Sequence, residues 1–216
     1  MIVCCDVDGG LNFDPETGEI KRPLVVRVTK FDEESAETFA KQMSAADDTG
    51  QPFIPIIIDS YGGDPYSLQA MRDVISSARA TVATIVEGKA MSCGAILFSC
   101  GAEGYRFVGP NATIMIHDVT HGEEPYKKAE EVKADAKEIE RLNNMFYHTL
   151  AQNCGKPVDY FLNHVNKRHR ADWYLTPEEA VKHNLANHVG IPRLVKTVTV
   201  THDFQIEKSS TKKKSR

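Results

Sequence analysis

Phe53-Ile54-Pro55-Ile56-Ile57-Ile58 runs directly into Asp59-Ser60-Tyr61-Gly62-Gly63-Asp64, and then into a stretch whose apolar positions are Tyr66, Leu68, Ala70, Met71, Val74 and Ile75. The first run has strand length and is apolar on both faces. That predicts a buried strand at the centre of a sheet, although Pro55 cannot donate to a ladder. The glycine pair predicts a tight turn and the third stretch a helix. Strand, turn and helix in this order make a βα unit, and repeated units build a largely parallel sheet.

Working outward, the same alternation continues. Leu24 to Val28 reads as a strand, and Asp32 then caps a helix whose Ala36, Phe39, Ala40 and Met43 share a face. Gly50 ends it. Thr81 to Val86 is the next strand, followed by the turn Gly88-Lys89-Ala90-Met91-Ser92-Cys93-Gly94 and a short apolar helix ending near Gly101. Tyr105 to Val108 and Thr113 to Ile116 are further strands. A long helix is expected to begin at Pro125, with Val132, Ile139 and Phe146 on one apolar seam beside Ala129, Ala136 and Leu150. Its other faces are charged, so the seam calls for a partner such as another subunit. Thr176-Pro177-Glu178-Glu179 is a capping box, and Asn184 suits a left-handed helix end. The expected organisation is one α/β domain over 22–200, a mobile N-terminal segment over 1–21 and a basic, disordered tail over 201–216.

A chain of 216 residues with 41% hydrophobic and 26% charged residues has the profile of a soluble globular domain. Its net charge of −4 argues against a nucleic-acid binder, which needs a basic excess on some face. The basic block Lys212-Lys213-Lys214-Ser215-Arg216 reads as solvated tail. Cys4, Cys5, Cys93, Cys100 and Cys154 form neither a disulfide framework nor a zinc-ligand spacing, which points to reduced thiols and a cytoplasmic location. Asp6 and Asp8 lack the later ligands of a calcium loop. No apolar run has the length of about 20 residues that spans a bilayer, so no membrane partner is expected.

Four features carry candidate chemistry. Ser92 sits between a strand and a helix among Gly88, Ala90 and Gly94, where small residues allow a sharp turn and a close approach of substrate. The amides of the helix it opens favour a developing negative charge. A serine there is more often an N-cap than a nucleophile. Gly62 and Gly63 supply a second strand-to-helix turn, and such turns gather at the carboxyl ends of parallel strands where ligands bind. His117 ends the strand Thr113 to Ile116 and lies at a carboxyl end too, the usual place of a hydrogen-bonded rim histidine as well. Asp172 follows Lys167-Arg168-His169-Arg170, where pairing with a neighbouring arginine is the commoner fate. Composition and spacing do not single out His117 among eight histidines.

Taken together, Ser60-Tyr61-Gly62-Gly63, Gly88-Lys89-Ala90-Met91-Ser92-Cys93-Gly94, Met115-Ile116-His117 and Asp172-Trp173-Tyr174-Leu175-Thr176-Pro177-Glu178-Glu179-Ala180 resemble the Clp protease proteolytic subunit family. Gly101-Ala102-Glu103-Gly104-Tyr105-Arg106-Phe107 and Pro110-Asn111-Ala112 extend the resemblance, which runs in family order from about Arg22 to about Gly190. It implies a Clp-protease/crotonase-type fold: βα units around a largely parallel central sheet, with a protruding long handle helix. It further implies a serine peptidase with Ser92 as nucleophile, His117 as general base and Asp172 orienting the imidazole. The backbone amides of Gly63 and Cys93 would form the oxyanion hole. Members assemble as stacked heptameric rings, receive polypeptide from a AAA+ unfoldase, and need no metal or cofactor.

The sequence also departs from that family. Tyr61 replaces a proline, and Lys89 replaces an apolar residue in the serine motif. Asp118-Val119-Thr120-His121-Gly122-Glu123-Glu124-Pro125 stands where the family has a glycine-rich substrate-binding strand. Pro55 and Ile57 occupy positions where members carry tyrosines of the unfoldase docking pocket. Two other readings are a crotonase-like acyl-CoA hydratase or isomerase, expected to use acidic site residues, and a non-catalytic homologue that modulates an assembly.

Overall fold

Thirteen elements alternate much as the pattern demands among the residues described by the structure, a computed structural model covering 23–120 and 126–193. The N-terminal segment 1–21, the stretch 121–125 and the tail 201–216 lie outside the described residues. The chain runs β1 (Val26–Val28), α1 (Glu33–Asp48), β2 (Phe53–Ser60), α2 (Pro65–Ser77), β3 (Thr81–Met91), α3 (Cys93–Ser99), β4 (Arg106–Val108) and β5 (Thr113–Ile116). It continues through α4 (Ala129–Asn153), α5 (Tyr160–Asn166), β6 (Trp173–Leu175), α6 (Pro177–Lys182) and β7 (His188–Val189). The caps are those expected: Asp32 accepts from the Ser35 amide at 2.8 Å, and Thr176 from the Glu179 amide at 3.3 Å. Asn184 takes a left-handed φ of 58° just past α6.

The strands form one sheet in the order β1-β2-β3-β4-β7, with β5 paired to β3 and β6 to β5. Every pairing is parallel except β5 with β6. β3 is the organising strand, and it extends five residues beyond the expected end at Val86. It pairs with β4 at Thr84 to Val86, then with β5 at Lys89 to Met91. Between the two, Gly88 takes φ 80° and the pairing with β2 jumps from Ile58↔Val86 to Ser60↔Ala90. The glycine read as a turn is therefore an irregularity inside a strand that changes partners.

β2 is buried on one face only. Ile54, Ile56 and Ile58 are fully buried in a core shared with Phe39 and Met43 of α1, Leu68 of α2 and Leu97 and Phe98 of α3. Phe53, Pro55 and Ile57 face the other way and, with Val25, Ile85 and Phe107, line an open apolar depression of 440 Å³. The second apolar face of this strand thus remains uncovered by the described residues. Pro55 is tolerated because the pairing with β1 begins only at Ile56.

α4 starts at Ala129 rather than at Pro125. The Lys128 amide is satisfied by Glu131 Oε2 at 2.9 Å, and its carbonyl accepts the Val132 amide at 3.1 Å. No residue from Ala129 to Arg141 is buried, whereas Leu142, Asn143, Phe146, Tyr147 and Leu150 are. The expected seam is consequently split: Phe146 and Leu150 belong to this domain's core, while Val132 remains 54% exposed.

Candidate active site

Strand register brings three distant residues together. Parallel pairing of Met91 with Met115 sets the residues that follow, Ser92 and His117, near one carboxyl end of the sheet. Antiparallel pairing of Ile116 with Trp173 sets Asp172, just before β6, beside His117, just after β5. His117 Nε2 lies 2.8 Å from Ser92 Oγ, and His117 Nδ1 lies 3.7 Å from Asp172 Oδ1. The first distance is a hydrogen bond. The second is long for one, as catalytic contacts commonly are before substrate binds.

Ser92 is held in an unusual conformation. Its φ of 54° and ψ of −122° fall outside the regions open to most residues, and its amide donates to the Met115 carbonyl at 2.9 Å. It occupies the N-cap position of α3 but makes no capping hydrogen bond. The hydroxyl is turned to His117 instead, which separates this serine from the commoner capping role.

The two glycine-bearing turns meet. A Cβ on Gly62, whose φ is 103°, would sit 2.7 Å from Ser92 Cβ and 3.2 Å from the Cys93 amide nitrogen. A Cβ on Gly63 would collide with the Phe31 carbonyl oxygen. Both positions therefore require glycine. The Cys93 thiol donates to the Gly63 carbonyl at 3.3 Å, tying the turn before α2 to the turn before α3. Burial pushes that thiol up to about 11, so it stays protonated and is no rival nucleophile. Ser92 and His117 open onto a cleft of 250 Å³ with Ile96, Met115, Val119 and Phe146 among its apolar walls. Among the described residues, no group of three or more His, Cys, Asp or Glu is placed to hold a metal, and no helix is long and apolar enough to cross a membrane.

The Clp protease family model matches residues 19–193, which takes in the whole of this site. The chain belongs to the Clp protease family. It is similar to the ATP-dependent Clp protease proteolytic subunit 1 of Tropheryma whipplei (strain Twist), at 28% identity over 181 residues covering 83% of this chain and 86% of that relative. Subunit 2 from strain TW08/27 of the same organism is similar to the same extent. Membership carries the general proteolytic character of the family.

Two departures from the Clp protease pattern prove to be neighbours. Lys89 Nζ lies 2.7 Å from Asp59 Oδ1 and 4.3 Å from the centroid of the Tyr61 ring, and Tyr61 borders the cleft. The lysine that replaces an apolar residue thus packs on the tyrosine that replaces a proline, through a cation–π contact.

Other residues at the site were not legible in the sequence. Asp172 does not pair with a neighbouring arginine: Arg168 lies over the Trp173 ring at 4.4 Å, and Arg170 reaches Asp118 instead. Tyr147 Oη donates to Asp118 Oδ1 at 2.7 Å, and Asn143 Oδ1 accepts from the Val119 amide at 2.7 Å. Burial, and then the bond to Asp118, push the Tyr147 hydroxyl well above its ordinary range. The only hint in the sequence was a polar pair four residues apart, Asn143 and Tyr147, on the seam-bearing helix.

Proposed function

We propose that this Clp protease family member is a serine endopeptidase that cleaves unfolded polypeptides or peptides through an acyl-enzyme. The observation that carries the reading is the 2.8 Å contact between His117 Nε2 and Ser92 Oγ, with Asp172 facing the other ring nitrogen. Ser92 Oγ attacks the scissile carbonyl as its proton passes to His117 Nε2. Asp172 keeps the Nδ1–H tautomer oriented and stabilises the imidazolium. The amides of Gly63 and Cys93 donate to the carbonyl oxygen as it becomes an oxyanion. On collapse the C–N bond breaks and His117 returns the proton to the leaving amine. Water, deprotonated by the same imidazole, then hydrolyses the ester. The apolar cleft walls suit an apolar side chain beside the scissile bond. The family match sets aside the crotonase-like alternative, and the serine–histidine contact favours catalysis over a non-catalytic role.

The working form in this proposal is a self-compartmentalised homo-oligomeric ring, heptameric or a stacked tetradecamer, fed by a AAA+ unfoldase. Two surfaces that the described residues leave open support it. The solvent-facing half of α4 projects an apolar strip that a second subunit could cover. The depression around Phe53, Pro55 and Ile57 is an apolar face on which an unfoldase could dock.

Fluorophosphonate labelling of the full-length protein tests the catalytic reading. The adduct should map to Ser92 and disappear in Ser92→Ala, whose peptide turnover should fall about a million-fold. Wild-type protein that cleaves peptides without labelling at Ser92 contradicts the mechanism.

A further inference from the structure

Asp118 directly follows His117 in the chain, and Arg170 stands two residues before Asp172. Their side chains meet as a fork: Arg170 Nε donates to Asp118 Oδ2 at 2.5 Å and Nη2 to Oδ1 at 2.8 Å. Arg170 Nη1 also donates to Asn166 Oδ1 at 3.0 Å, which anchors the guanidinium to the end of α5. The buried Tyr147 hydroxyl, from α4, also donates to Asp118 Oδ1 at 2.7 Å. The carboxylate of Asp118 is thus gripped from two elements, at a point where its side chain is only 23% exposed. Bidentate arginine–carboxylate pairs of this kind fix geometry as well as add stability.

The backbone around Arg170 is shaped to deliver the fork. His169 and Arg170 have φ of 55° and 61°, two successive left-handed residues without glycine. Such a conformation persists only where its surroundings impose it. It reverses the chain between α5 and β6 and aims Arg170 back at the end of β5.

We propose that Arg170 and Asp118 form a positioning clamp that sets the spacing between His117 and Asp172. The inference rests on the triad reading above. The pairing of β5 with β6 ends at Ile116↔Trp173, so the segments that carry His117 and Asp172 leave the sheet with no further ladder to hold them together. The fork closes the gap two residues past the end of β5 and three residues before the start of β6. It also neutralises a second carboxylate next to the imidazole, leaving Asp172 as the partner of Nδ1. Neither clamp residue touches the reacting atoms, so each acts through His117.

The test compares full-length wild type with Arg170→Gln, Arg170→Lys, Asp118→Asn, the double variant Arg170→Gln/Asp118→Asn and the reversed pair Asp118→Arg/Arg170→Asp. Peptide hydrolysis, the rate of fluorophosphonate labelling at Ser92 and thermal stability are measured on each. Each charge-removing single variant should lose roughly tenfold or more in kcat, with KM within about twofold and labelling slowed in parallel. The double variant should be no worse than either single one, because the same contact is lost. Arg170→Lys and the reversed pair should recover part of the rate. Single variants that label at the wild-type rate, or that change only stability or KM, overturn the clamp while leaving the triad intact. Absence of Ser92 labelling in active wild type overturns the triad and the clamp together.

Discussion

The position of a Cβ on Gly62 lies 2.7 Å from Cβ of Ser92, closer than two such atoms can approach. The nucleophile candidate and the turn before α2 are therefore built as one packed unit, and the glycine is required by its neighbour as much as by its own φ of 103°. Gly62→Ala should push Ser92 away from His117 and strain the turn. A displacement of about 1 Å in such a site costs about a hundredfold in rate. The expected outcome is a fall in kcat/KM of at least that order, with stability lowered by about 1–3 kcal/mol. Peptide kinetics and urea unfolding of the purified variant check it, and unchanged kinetics would refute the packing argument.

Arg106 is almost fully buried and donates to the carbonyls of Leu185, Gly101 and Asn184 at 3.1 Å each, and to Glu103 at 2.7 Å. It ties β4 to the chain just past α6. Arg106→Met keeps much of the volume but takes the donor from three carbonyls, at about 1 kcal/mol or more apiece. A loss of about 3 kcal/mol or more should appear as a lower urea midpoint with an unchanged slope. A midpoint equal to wild type would show that the arginine is dispensable to the fold.

Acid should weaken the fold through two histidines behind the site. His164 stacks on Trp173 at 5.0 Å, and His183 meets His164 edge-on at 4.9 Å while contacting the Tyr160 hydroxyl at 2.7 Å. Burial lowers both below the ordinary imidazole value, helped by Arg168 and Lys167 at His164, and by His164, Lys182, Lys156 and Arg168 at His183. A depressed folded-state value means that the unfolded chain binds protons first as pH falls. The stability these rings contribute is therefore complete above about pH 6.5 and declines as pH drops below it. The melting temperature should fall between pH 7.5 and 5, and fall less in His164→Gln/His183→Gln. An equal decline in wild type and variant would assign the acid lability elsewhere.

Ile139→Glu places a charge at a half-exposed position on the part of α4 that precedes the buried Leu142, Phe146 and Leu150. If a second subunit covers that strip, sedimentation velocity should show a shift from larger to smaller species, with the monomer's melting behaviour nearly unchanged. Identical sedimentation of the variant and an oligomeric wild type would exclude the strip from the interface.

The sequence by itself determined the class of fold and the family, because both rest on local signals. Apolar runs of strand length, the cap at Asp32, the capping box at Thr176, and the turns at Gly62 and Ser92 depend on neighbours within a few residues, and they reappear where the pattern placed them. The same local reading placed the end of β3 at Val86, since a glycine with positive φ marks a turn far more often than a strand that changes partners. It also treated both faces of β2 alike, because periodicity records how apolar a face is and not whether anything covers it. Which histidine meets Ser92, and which aspartate faces that histidine, was implied by the family resemblance, but residue spacing does not dictate it and the contact itself is made by tertiary structure. His117 and Asp172 stand 25 and 80 positions beyond the serine by their numbers in the chain, and only the registers Met91↔Met115 and Ile116↔Trp173 convert those separations into contact. The pairing of Arg170 with Asp118, rather than with the nearer Asp172, has the same origin: side-chain partners are chosen by the direction in which each backbone segment leaves the sheet, and no spacing in the sequence encodes that direction.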